Sequence, residues 1–224
     1  MGLIKCPNCG KFISDEAEKC FHCGKEVSSK LKVGERIVFG QYYINGKALM
    51  PLTWKVLAVK DGKALIITEK CIEGKLFNNS QEKVTWENCS LREWLNNEFY
   101  SIAFSEEEQE MIVPSDVISE DGAILIPNSV EAFVTRDKVF ILSVQEAYNY
   151  FDNDESRRAI VTQQAKNNGA DYDFIEGNGR WWLRTTFSDI GVAYAVLFLG
   201  RIGEFGYPVS DEDGCVRPVV WVKI

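Results

Sequence analysis

The chain has 224 residues, 46% of them apolar and 26% charged, with a formal net charge of −8. That apolar share rules out global disorder, and no apolar run approaches the roughly 18 to 20 residues of a membrane-spanning helix. The acidic balance argues against a free nucleic-acid binder, whose phosphate contacts need clustered Lys and Arg.

Four of the seven cysteines fall in the first 23 residues as two C-x-x-C pairs, Cys6 with Cys9 and Cys20 with Cys23. The opening stretch MGLIKCPNCG has no hydrophobic core of an export signal, so reduced thiols and a cytoplasmic location are expected. Each pair fits a tight turn, and Gly10 and Gly24 let the backbone bend so that amide N–H groups face the sulfurs. Four thiolates set tetrahedrally are the preferred shell of a structural zinc ion. One closed Zn²⁺ site held by Cys6, Cys9, Cys20 and Cys23 is therefore expected, with Phe12 and Ile13 as apolar filler. A thioredoxin-like redox motif would need a βαβ pattern beside one pair, and none is present. His22 is read as a spectator, and as the only histidine it leaves no His-based triad for the rest of the chain. The repeated C-x-x-C-G-K resembles the small zinc-ribbon family over residues 4–26. Its balanced lysines and acids, with four thiolates added, make a poor nucleic-acid surface and suit protein docking or spacing better.

The expected organisation is a zinc ribbon at 1–28, a linker at 29–33 and one α+β domain at 34–224. Two hairpins are expected. Tyr42–Ile44 and Ala48–Leu49 flank Asn45-Gly46, and VLAV and ALII flank Asp61-Gly62. Three capping boxes predict helix starts, at Ser90/Glu93, Ser105/Glu108 and Ser143/Glu146. Leu91, Trp94, Leu95 and Phe99 form one apolar stripe, and Val144, Ala147, Tyr148 and Phe151 another. A further helix is expected from Asp154 to about Lys166. The last third reads as strands at WWLRTT, VAYAVLFLG and VRPVVWVKI, with the domain's first and last strands paired.

Most of the six tryptophans should pack in the core, but Trp181 and Trp182 point to opposite faces of a strand, leaving one for a surface groove. Arg184 and Arg217 are expected to pair with a buried carboxylate such as Glu146 or Asp137. The acidic loops at Asp171, Asp173, Glu176 and at Asp211, Glu212, Asp213 offer oxygen ligands for Ca²⁺ but follow no EF-hand spacing, so solvated loops are the leading reading. No P-loop, dinucleotide fingerprint, G-x-S-x-G or H-E-x-x-H occurs.

Six motifs in order, FG-x-Y at 39–42, LTWKVL at 52–57, TWENCSLREWLNNEFYSIAFSEEEQEMI at 85–112, DKVFILSVQEAYNYF at 137–151, WWLR at 181–184 and VRPVVWV at 216–222, resemble a bacterial family of domains of unknown function. Members often carry an N-terminal zinc ribbon. The closing W-W-x-R … V-R-P pattern is in turn similar to the C-type-lectin-like fold of the formylglycine-generating enzymes. This implies a mixed α+β domain with adjacent terminal strands and a loop-built ligand face. The cysteine pair that binds copper in those enzymes has no short-range counterpart among Cys71, Cys89 and Cys215, and the calcium motifs of sugar-binding lectins are missing.

The leading functional reading is a non-catalytic binding protein for a protein or small-molecule ligand. An enzyme of unrecognised type and a nucleic-acid-associated ribbon protein are the two alternatives. The loops at 185–191 and 201–213 should carry recognition, through Phe187, Asp189, Arg201, Glu204, Phe205 and Tyr207 beside Trp182.

Overall fold

The computed structural model describes residues 3–6, 8–14, 17, 19–25, 31–126 and 130–224. Residues 26–30, which include the start of the expected linker, lie outside the described residues. Within residues 31–33, Leu31 packs against the large core and the Lys32 N–H donates to Glu35.

In the ribbon, β1 (Leu3–Lys5) pairs antiparallel with β2 (Phe12–Ser14). Ile13 is buried, whereas Phe12 is exposed beneath the Lys5 ammonium. Each C-x-x-C forms the same knuckle. The N–H of Gly10 donates to the Cys6 carbonyl and that of Gly24 to the Cys20 carbonyl, both at 2.8 Å. Both glycines are left-handed, at φ +70° and +71°, a conformation that side chains resist.

The large domain has two sheets. The first is antiparallel and contains β3 (Arg36–Tyr42), β4 (Met50–Lys60) and β5 (Lys63–Thr68). Asp61 and Gly62, both at positive φ, close the β4–β5 turn as expected. The β3–β4 pairing ends at Tyr42 opposite Met50, so Ala48 and Leu49 belong to a loop, where Asn45 Oδ1 accepts from two backbone N–H groups. A short β6 (Glu73–Gly74) follows in the second sheet.

A helical run then covers α1 (Ser90–Trp94), a π-helical turn at Leu95–Phe99 and α2 (Tyr100–Ala103), and α3 (Glu106–Met111) comes next. The Leu91, Trp94, Leu95 and Phe99 stripe is buried. The capping boxes at Ser105/Glu108 and Ser143/Glu146 are formed, but the one at Ser90/Glu93 is not. There the helix starts one residue earlier than expected, so Ser90 is its first residue and the cap is Cys89, whose Sγ accepts from the Arg92 N–H, while the Ser90 hydroxyl accepts from the Asn79 N–H.

The β7 (Ser115–Asp121) and β8 (Glu131–Asp137) ribbon leads to α4 (Val144–Tyr150), in which Tyr148 is exposed rather than part of the buried stripe. The helix expected from Asp154 to Lys166 is broken into α5 (Asp154–Arg157) and α6 (Gln163–Asn167). Between them Ile160 and Val161 form β-bridges to Asn178 and Cys71, so tertiary pairing wins over helical continuity.

The chain then enters β9 (Trp181–Phe187), β10 (Val192–Val196), β11 (Tyr207–Pro208), β12 (Cys215–Val216) and β13 (Val219–Lys223). VAYAVLFLG is a strand only to Val196, because the chain turns back at Leu197–Gly200 to bridge Ile202. The second sheet runs β11-β10-β9-β12-β6, with β7 also beside β9. The first runs β13-β5-β4-β3, so the domain's first and last strands occupy opposite edges and do not pair.

Two segments therefore pass from one sheet to the other side by side, β5 to β6 and β12 to β13. The buried Arg217 sits at this crossing. Its guanidinium donates to the carbonyls of Thr68, Glu69 and Arg157 and stacks over Trp181 at 4.8 Å. Its partners are backbone carbonyls and not the carboxylate expected from the sequence. Arg184 does take the expected partner. It forks onto both oxygens of Glu146, at 2.5 and 2.7 Å, and adds the carbonyls of Ile118 and Ile141.

Replacing Arg217 with Met would leave buried carbonyls without donors, at a cost of about 3 kcal/mol. Thermal unfolding followed by circular dichroism should show a fall in Tm of roughly 6–12 °C. Lys83→Ala, which breaks the exposed pair with Asp189, should cost less than about 1 kcal/mol.

Candidate functional site

The fold brings the four ribbon cysteines together, with all their Sγ atoms within 4.8 Å of one another. Cys6 Sγ lies 3.8 Å from Cys23 Sγ, and Cys9 Sγ lies 3.6 Å from Cys20 Sγ. Tetrahedral Zn–S bonds of about 2.3 Å place sulfurs about 3.8 Å apart, so this donor set fits the ion in size and chemistry. The Lys25 N–H and the Asn8 side chain hold the Cys23 thiol down to about 6, and the Cys9 N–H lowers Cys6. Cys9 is raised to about 11: the Lys11 N–H pulls it down, but burial and the other three sulfurs outweigh that pull. His22 is exposed and packs on the Phe21 ring at 3.9 Å, apart from the cluster. Among the described residues this is the only group of three or more metal-ligating side chains close enough to share an ion. In the acidic loops Asp173 accepts from the N–H groups of Ile175, Glu176 and Asn178, Glu176 pairs with Arg158, and Asp211 pairs with the buried Arg180.

The large domain carries a cleft of about 610 Å³ between β6, the helical run and α6. Trp94, Glu98 and Ile102 line one wall, each four residues after the last. The i→i+5 bonding of the π turn between them widens the helix and keeps such residues in line, an arrangement that recurs at functional sites. The floor is Glu73, 5% exposed. Its Oε1 accepts from the Gly74 N–H (3.1 Å) and Asn168 Nδ2 (2.6 Å), and its Oε2 from the Tyr42 hydroxyl (2.9 Å) and Gln164 Nε2 (3.1 Å). Burial and the Glu73 charge push the Tyr42 phenol well above its ordinary range, so it remains a donor.

The other buried carboxylate, Asp137, has a cation. Arg92 Nε reaches it at 2.6 Å, with Trp86 Nε1 and the Thr135 hydroxyl completing its shell. Among the described residues no Lys or Arg nitrogen lies within 4.0 Å of Glu73.

The residues expected at the ligand face are divided. Arg201, Glu204, Phe205 and Tyr207 line one shallow depression of about 320 Å³, and Phe205 is 78% exposed. Asp189 is exposed and pairs with Lys83, and Phe187 stands opposite Val192 in the sheet. Trp182 is 0% exposed, like Trp181. Its Nε1 donates to the Lys75 carbonyl, and a Cβ on Gly214 would stand 2.1 Å from that nitrogen, so the indole is sealed in and lines no groove.

Neither Glu73 nor Tyr43 nor Lys75 was singled out by sequence pattern. A signal was present: Glu73 is a charge inside the otherwise buried stretch Cys71–Gly74. Its partners at 42, 164 and 168 are too distant in sequence for that signal to be read.

Residues 61–224 match the family described as a domain of unknown function (DUF6273), and residues 2–27 match a zinc-ribbon domain. Strands β3 and β4 lie ahead of the first match and complete its four-stranded sheet. No curated protein and no solved structure matches the chain.

The three remaining cysteines are buried, and the fold brings Cys71 and Cys215 into interaction although they are distant in sequence. Burial pushes Cys89 up to about 12, and burial followed by the neighbouring Cys71 raises Cys215 well above the thiol range. Iodoacetamide at pH 8 should therefore leave Cys71, Cys89 and Cys215 unmodified in the folded chain and alkylate them in denaturant, as read by mass spectrometry. Fast labelling of Cys89 without denaturant would contradict its burial.

Proposed function

The chain belongs to the DUF6273 family and joins a zinc-ribbon domain to it, and from that premise we propose a non-catalytic binding protein. Its large domain takes a small molecule or a segment of a partner protein in the Glu73 cleft. The observation that carries this reading is a concave site of ligand size whose buried carboxylate has, among the described residues, no Lys or Arg nitrogen within 4.0 Å. Burial of Cys89 and Cys215, which raises both thiols, supports binding over thiolate chemistry at those two positions. The acidic net charge supports a ligand other than nucleic acid. A second contact face is the exposed Phe205 depression.

The ribbon holds one structural Zn²⁺ through Cys6, Cys9, Cys20 and Cys23. A four-thiolate shell leaves no position for substrate, and about 25 residues bury too little surface to fold without it. Elemental analysis of the purified chain should give about one zinc per chain, lost when Cys20 and Cys23 are both changed to Ser. An unchanged zinc content in that double variant would overturn the site. Nicking by a protease within residues 27–33, ahead of or beside the packed Leu31, with a stable large fragment, is expected if the two parts fold as separate units.

For the cleft, a panel of amino acids, amines, sugars and nucleosides is read by ligand-observed NMR on the zinc-loaded chain. Hits should be lost in Tyr43→Ala, a half-buried residue that lines the cleft, with a thermal melt checking that the variant is folded. Hits lost instead in the triple variant Arg201→Ala, Phe205→Ala, Tyr207→Ala move recognition to the loop face. A panel with no hit sensitive to Tyr43 sinks the cleft reading.

A further inference from the structure

The cleft's own chemistry narrows what it takes, given that the cleft is the binding site. The Glu73 carboxylate already accepts four hydrogen bonds, two on each oxygen, all from neutral donors. Its lone-pair positions are therefore filled, and it offers a ligand its negative field and not a hydrogen-bonding place. A guanidinium or primary ammonium, which needs acceptors for its N–H groups, would gain little direct bonding there.

The aromatic wall points the same way. The Lys75 ammonium lies 4.8 Å from the centroid of the Trp94 ring, so the chain already parks a cation on the cleft's indole. Tyr42 stands edge-on to both neighbours, at 5.6 Å from Tyr43 and 6.4 Å from Trp94, which extends the π surface along the cleft. Glu98 and Glu212 add negative charge at the exposed rim. A group that is cationic, apolar on its surface and without N–H donors fits a saturated anion beside π faces.

We propose that the Glu73 cleft recognises a quaternary or fully methylated ammonium group, which takes over the Trp94 face that the Lys75 side chain occupies in the free protein. Lys75 then acts as a resident competitor. Its removal strengthens binding, the reverse of what removing an ordinary contact residue does.

The test titrates the zinc-loaded full chain with choline, with tetramethylammonium and with 3,3-dimethyl-1-butanol, the uncharged isostere of choline, using calorimetry and tryptophan fluorescence. Choline and tetramethylammonium should saturate and the isostere should bind at least about threefold more weakly. Lys75→Met, which keeps the apolar stem, should bind choline about three- to tenfold more tightly, and Glu98→Gln more weakly. Thermal melts of both variants confirm that they are folded. Absence of saturation by either ammonium in both the natural chain and Lys75→Met overturns the proposal, as does weaker binding by Lys75→Met. Equal binding of choline and its isostere, abolished by Tyr43→Ala, overturns the cationic ligand but leaves the cleft reading standing. Failure of every compound, including the wider panel, removes the cleft reading itself.

Discussion

Two chain segments change sheets at the same place, and the carbonyls exposed there require a donor that no strand can provide. Arg217 meets that requirement with a fixed fork of N–H groups. Pro218, next in the chain, has no N–H and marks where β12 ends, while its carbonyl accepts from Thr68 and starts the β13–β5 ladder. A buried cation facing carbonyl dipoles instead of a carboxylate is a costly arrangement. The strands next to the crossing are short: β6 and β12 pair over only two residues each, so they have little ladder of their own to hold them. The position of Glu73, the first residue of β6, follows directly.

The domain's other buried charges show how unusual Glu73 is. Arg184 with Glu146 ties the start of α4 to β7 and β9, and Asp137 with Arg92 ties the start of the helical run to the end of β8. Both are neutral knots within packed structure. Glu73 holds β3, β6 and α6 together through neutral donors, so the same residue joins three elements and leaves a negative field in an open cleft. In the proposed reading one carboxylate carries both a structural and a recognition role.

The ribbon and the large domain obtain their order from different sources. The ribbon has Ile13 as its buried aliphatic side chain among the described residues, so its four sulfurs are its organising centre. The large domain has a continuous core that includes five buried tryptophans.

The sequence alone determined the features that depend on neighbours along the chain. The C-x-x-C knuckles, the Asp61-Gly62 turn and the Ser105 and Ser143 caps were legible because each is a bond between residues two to four apart. The Arg184–Glu146 pair was legible from the scarcity of charges in an apolar strand. Only the tertiary structure decided the rest. The break between α5 and α6, the strand end at Val196, the sealing of Trp182 by Gly214 and the partners of Arg217 all arise from segments distant in sequence competing for the same backbone groups or the same space. The cleft belongs to this second class: residues 42, 73, 94 and 164 meet because two strands cross between sheets, and no local pattern encodes where that crossing falls.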